Sequence, residues 1–164
     1  MPSPKIPRTL KDTFPPEYRG GYKPPKKREQ EPNARGTLIY RLTPAEVAHF
    51  WRCVAYWQPR LNLMDWRITH KVVDTGAYMA AVEKWDKPQR QCRITLCTDW
   101  GQSEPTLLEI ERGAVHELLH VMLQPLTSLV EDSGRAYGED QKFAEHSVIN
   151  RLEHLLVPTP TVFD

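Results

Sequence analysis

The residues with the most chemistry in them are His116-Glu117-Leu118-Leu119-His120. Side chains at i and i+4 share one helical face. Two imidazoles one turn apart can therefore bind a single metal ion, and the glutamate one position on can reach a water beside it. The flanking residues have a helical period: Leu107, Ile110, Ala114, Leu118 and Met122 recur at intervals of three or four. The predicted cofactor is one zinc ion. A catalytic zinc takes three protein ligands and keeps a position for water, so one ligand must come from elsewhere. The last predicted helix, from Gly138 or Glu139 to Leu156, discriminates among the downstream candidates. Glu145 shares a stripe with Val148, Ile149, Leu152 and Leu156, which must turn toward the core. A carboxylate on such a stripe is costly unless paired or bound to metal. Glu145 is the predicted third ligand. His146, on a more polar face with Asn150 and Glu153, is its alternative, and His154 is assigned to the surface or to a supporting place.

On these residues the chain resembles the zincin metallopeptidases, and within them the compact gluzincin-like proteins. The resemblance spans about residues 40–156 by order of elements, and His116, Glu117, His120 and Glu145 carry it. It implies an α+β, zincin-like fold. A small three-stranded sheet packs on helices, the H-E-x-x-H helix follows it, and a later helix brings the glutamate ligand. It also implies a peptide or protein substrate, hydrolysed by a metal-activated water with Glu117 as general base. An oxyanion would need a further donor, for which Tyr137 is the candidate and His146 the alternative. An edge strand beside the cleft would pair with an extended substrate. Two features depart from the family patterns. No glycine and third histidine follow His120, where the chain reads Val121-Met122-Leu123-Gln124-Pro125. Ile149 stands where the thermolysin-type pattern has an aspartate, so the partner of His116 is expected among Asn150, Asp140 and a backbone carbonyl. The missing aspartate leaves room for a zincin-fold binding or regulatory protein with little or no turnover. The intact Glu117 favours the enzyme, because zinc binding alone needs no base.

Other elements must position this motif. Thr43, Pro44 and Glu46 read as a capping box with proline at the first helical position. Val47, Phe50, Trp51 and Val54 continue as an apolar stripe, and Pro59 is expected to end or kink that helix. Trp66–Val72, Ala77–Trp85 and Gln91–Thr98 read as three strands, expected to form a small meander. Pro125 is expected to end or kink the motif helix. The five tryptophans are read as core and hairpin packing rather than a base-stacking platform.

The 164 residues suit one domain of 37–164 preceded by an arm of 1–36. The arm holds eight of the 15 prolines and nine Lys/Arg against four Asp/Glu, so it is expected to be extended or disordered. It could contact the cleft of its own chain or a protein partner, and Phe14, Tyr18 and Tyr22 are its candidate anchors. Its charge also raises a nucleic-acid-associated reading, against which the formal net charge of the whole chain, +1, weighs. Cys53, Cys92 and Cys97 form no C-x-x-C pair, and at least two of them are expected to be buried thiols in a reducing, cytoplasmic setting. No apolar stretch approaches the ~20 residues of a membrane span, and the N-terminus lacks the apolar segment of a secretory signal.

Overall fold

The computed structural model describes residues 30–32, 36–76, 78–133 and 138–161. Their architecture is mixed α+β, with three helices and two small three-stranded sheets. Helix α1 (Pro44–Arg60) begins at the expected capping box: the Thr43 N–H donates to Glu46 Oε2 at 2.9 Å, and the Glu46 N–H donates to Thr43 Oγ1 at 3.4 Å. The helix ends one residue beyond Pro59, and the chain then turns through Asn62 in the left-handed region, φ 57°.

Strands β1 (Glu31–Pro32), β2 (Leu38–Arg41) and β6 (Asp99–Gly101) form one sheet in the order β1-β2-β6. Strand β1 falls within the proline-rich arm and pairs antiparallel with β2, Glu31 opposite Ile39. The rest of the arm, including Phe14, Tyr18 and Tyr22, lies outside the described residues.

The second sheet contains β3 (Arg67–Val73), β4 (Ala80–Asp86) and β5 (Gln91–Cys97), and it corrects the expected meander. The order is β3-β5-β4, with β3 parallel and β4 antiparallel to β5. Strand β5 takes the centre because Cys92, Ile94 and Leu96 give it the most buried inner face. The connection from β3 to β4 crosses the end of β5 and is pinned there. The Thr98 N–H donates to the Val73 carbonyl and the Cys97 N–H to the Met79 carbonyl, both at 2.8 Å. This order leaves β4 at an edge.

Helix α2 (Leu107–Asp132) starts at a second capping box, Thr106 with Glu109. It runs through Pro125, so of the two expectations, an end or a kink, the end does not occur there. A proline removes one ladder bond and costs about 3 kcal/mol in a helix interior; a helix of 26 residues anchored by a buried face continues past it. Ile110, Ala114, Leu118 and Val121 of that face meet Phe50, Trp51 and Val54 of α1 and Ile94 and Leu96 of β5. A second cluster, Val115, Leu119, Ile149 and Val157, fastens α3 (Glu139–Leu156) to α2. With about 100° between residues, these two stripes leave His116 and His120 on a third face, and Glu117 between that face and the sheet. Among the described residues, no helix is long and apolar enough to cross a membrane.

Candidate metal centre

The imidazoles of His116, His120 and His146 form a triangle. Their ring centroids lie 5.0 Å (116–120), 5.6 Å (116–146) and 4.9 Å (120–146) apart. Each offers a ligand nitrogen within 4.8 Å of the other two. The other nitrogen of each ring, Nδ1, is held by an oxygen. His116 Nδ1 lies 2.8 Å from Glu153 Oε2, His120 Nδ1 lies 3.0 Å from Glu145 Oε1, and His146 Nδ1 lies 2.9 Å from the Lys142 carbonyl. An acceptor on Nδ1 fixes the tautomer and leaves Nε2 as a lone-pair donor, the arrangement that zinc-binding histidines share. The donor set fits a zinc ion.

The structure places the predicted residues unequally. His116 and His120 meet as the motif spacing requires. Glu145 reaches the site through the His120 ring, while His146, the alternative, completes the triangle. The partner of His116 is Glu153, not Asn150, Asp140 or a carbonyl. The reason lies in how α3 is turned. Ile149 is fully buried, but Val148 is 47% exposed and Leu155 75% exposed. The face that meets α2 is therefore rotated toward the polar side of the predicted stripe. Glu145 then flanks Ile149 on one side, and His146 and Glu153, seven residues apart, flank it on the other. That i, i+7 spacing puts His146 and Glu153 on one face, as the sequence indicates, and the turn of the helix brings that face to α2. Tyr137 lies outside the described residues.

Glu117 is buried beside the triangle. Burial pushes its carboxyl up to about 7, against the opposing pull of His116 and a hydrogen bond from the Val82 backbone. Burial also pushes both motif histidines down. At His116 the Glu153 bond and nearby carboxylates outweigh it and the net shift is upward, whereas His120 remains lowered.

The Val82 bond follows from strand geometry. Because the Cys97 N–H donates to the Met79 carbonyl, residues 79, 81 and 83 aim their backbone groups at β5, and residues 80 and 82 aim theirs away from it. The outer edge of β4 therefore faces α2. Between them runs a cleft of about 370 Å³. Its α side carries His116, Glu117, His120, Glu145 and His146; its β side carries Tyr78, Ala80, Ala81, Val82 and Trp85.

A second set of metal-binding types, His49, Cys53 and Glu111, also lies within 4.8 Å, but its chemistry is that of packing. All three are buried. Glu111 already accepts from Trp57 Nε1 at 2.7 Å and from the Thr161 N–H at 2.6 Å. Burial, and then the positive charge of Arg52, push His49 down; the same guanidinium would repel a divalent cation. Cys53 Sγ lies 3.5 Å from His49 Nε2, and burial drives that thiol well above its usual range. The cluster ties α1 and α2 to the segment that follows α3. Cys92 and Cys97 are buried too, so all three thiols are, where the sequence predicts at least two. Comparison of the chain with protein-family models, with curated proteins and with solved structures finds no match.

Proposed function

We propose that the protein is a zinc-dependent peptidase whose metal is held by His116, His120 and His146, with Glu145 and Glu153 orienting the first two rings and distinct from the ligands. The observation that carries this reading is the converging triangle of imidazoles, each fixed through Nδ1, with a buried carboxylate at its edge. A zinc ion there would polarise an amide carbonyl and acidify a water. Glu117 is the residue that would accept a proton from an attacking water and return it to the leaving amine. Its upward shift suits both halves of that task, since a base that returns its proton works best near the ambient pH. Glu145 and Glu153 accept from Nδ1 of His120 and His116 and hold the rings in register. The outer edge of β4 lies along the same cleft and offers backbone groups to an extended peptide.

The test is a pair of measurements on purified protein. Metal content should be about one zinc per chain, and replacing both His116 and His120 with alanine should abolish it. Glu117→Gln should keep the zinc and lower hydrolysis of a peptide library by roughly two to four powers of ten. Stoichiometric zinc in the double histidine variant would exclude the site. Equal turnover in wild type and Glu117→Gln would exclude the base.

A further inference from the structure

Strand β4 contains an irregularity that bears on what the cleft accepts. Glu83 pairs with Arg93 and Asp86 with Gln91, so three steps on β4 match two on β5. The extra residue makes a β-bulge, and Lys84 within it has a φ of 53°. A non-glycine residue in the left-handed region is uncommon and costs energy. The bulge has a definite consequence for its neighbour. In an unbroken strand, Trp85 would share the outer face with Ala81 and Glu83, where Glu83 pairs with Arg93. The extra residue reverses the alternation after Glu83. Trp85 moves to the inner face, with Ala80 and Val82, opposite the level of Cys92. There its ring meets that of buried Trp66 edge to face, centroids 5.7 Å apart, and lines the cleft that holds the three histidines. Trp85 is nonetheless 36% exposed. Bulges beside functional sites often serve to re-aim one side chain.

We propose that Trp85 is a specificity-determining residue: its ring is a fixed platform for a large apolar side chain of the peptide, next to the bond to be cut. The occupant follows from the two walls. The α side holds the imidazoles and carboxylates that would deal with the metal and the amide. The β side offers alanine, valine and aromatic surface, Tyr78 adds a second ring, and Lys87 stands at the end of the wall beyond Trp85. A peptide laid along the β4 edge keeps its backbone at the strand and sets alternate side chains on the Trp85 side. An aliphatic or aromatic residue packed on the Trp85 ring removes apolar area from water, and a charged one gives up hydration against that ring. The substrate class is therefore an extended peptide with a large apolar residue flanking the scissile bond.

This inference rests on the zinc-peptidase reading, and the test separates the two. Zinc-loaded full-length protein is titrated with acetohydroxamate and with hydroxamates bearing isobutyl or benzyl side chains. Affinity should climb with side-chain size, the benzyl compound gaining at least about tenfold over acetohydroxamate. Trp85→Ala should cut that gain to about threefold or less, leaving zinc content and acetohydroxamate affinity unchanged, and Trp85→Phe should restore most of it. Should Trp85→Ala fail to fold, the side-chain series on wild type still decides. Acetohydroxamate binding with no gain from larger side chains, or a gain equal in wild type and Trp85→Ala, overturns the subsite and leaves the metal centre standing. Failure to hold zinc at all overturns the metal centre, and the subsite with it.

Discussion

At the scale of single residues, a carboxylate bound to a metal and one bound to the ring behind it are hard to distinguish by spacing, and they respond differently to substitution. Glu145→Gln keeps size and a hydrogen-bonding oxygen but loses the charge that steadies His120. Loss of such a supporting partner lowers metal affinity by about 10- to 100-fold. Glu153→Gln should act likewise through His116. His146→Ala removes a donor atom outright and should weaken zinc more than either glutamine variant does, measured by competition with a chelating dye. The reverse order, Glu145→Gln emptying the site while His146→Ala stays loaded, would make Glu145 the ligand. Thiol chemistry gives an independent check at this scale. Burial raises Cys92 to about 12 and shifts Cys53 and Cys97 upward as well. All three should resist iodoacetamide at pH 8 in the native protein and react fully in denaturant. A group raised on folding contributes stability that is intact below its unfolded value and disappears as pH climbs through its folded one. For Cys92 that window is about 9 to about 12. Urea midpoints should therefore fall across it, and Cys92→Ala should flatten the decline.

Secondary-structure elements set where these groups meet. Helix α2 carries three separate faces within two turns: a core stripe, a seam for α3, and the motif between seam and sheet. Its start is fixed by Thr106, whose hydroxyl accepts from the Glu109 N–H at 3.2 Å. Thr106→Ala should cost about 1 kcal/mol, the usual price of an N-cap, seen as a lower denaturant midpoint. Zinc stoichiometry should not change, because the motif begins more than two turns further on. Thr43→Ala at the head of α1 should behave the same way. Strand β4 shows the opposite dependence. Its identity as a strand is local, but its place at the sheet edge, and hence its access to the cleft, comes from a crossing connection held by residues at the end of β5.

Over the whole molecule, the last helix must be held against α2 for the three histidines to converge, and two contacts outside the cleft do so. Arg112 Nε donates to the Val157 carbonyl at 3.1 Å, and Glu111 accepts from Trp57 and Thr161. Glu111→Ala leaves buried donors without an acceptor, and hydrogen bonds to a charged group contribute about 1.5–3 kcal/mol each. We expect a destabilisation of about 3 kcal/mol or more in urea unfolding. Glu111→Gln should be milder. If the cluster around Glu111 held a metal instead, chelator treatment of a His116/His120 double-alanine variant would lower its melting temperature; we expect no change.

Local patterns decided a good deal of this. The capping boxes at Thr43 and Thr106 and the alternation of Gln91–Thr98 are written in neighbouring residues, because a helix start or a strand face depends on contacts only a few positions apart. The same holds for the one-turn spacing of His116 and His120, which needs only a helix to bring the rings together. The tertiary structure decided whatever depends on how two elements are turned against each other. The apolar residues of α3 span a broad arc, and a rotation of several tens of degrees within it exchanges Glu145 for His146 at the centre of the site. Packing of Ile149 against Val115 and Leu119 selects the angle, and those partners lie some thirty residues away. The sheet order was likewise hidden: three short strands in succession suit a meander or a crossing equally well by pattern. The burial of β5 and the pins at its end, both long-range, choose between them. The bulge at Lys84 is the clearest case, because one surplus residue becomes visible only when β4 is laid against its partner strand.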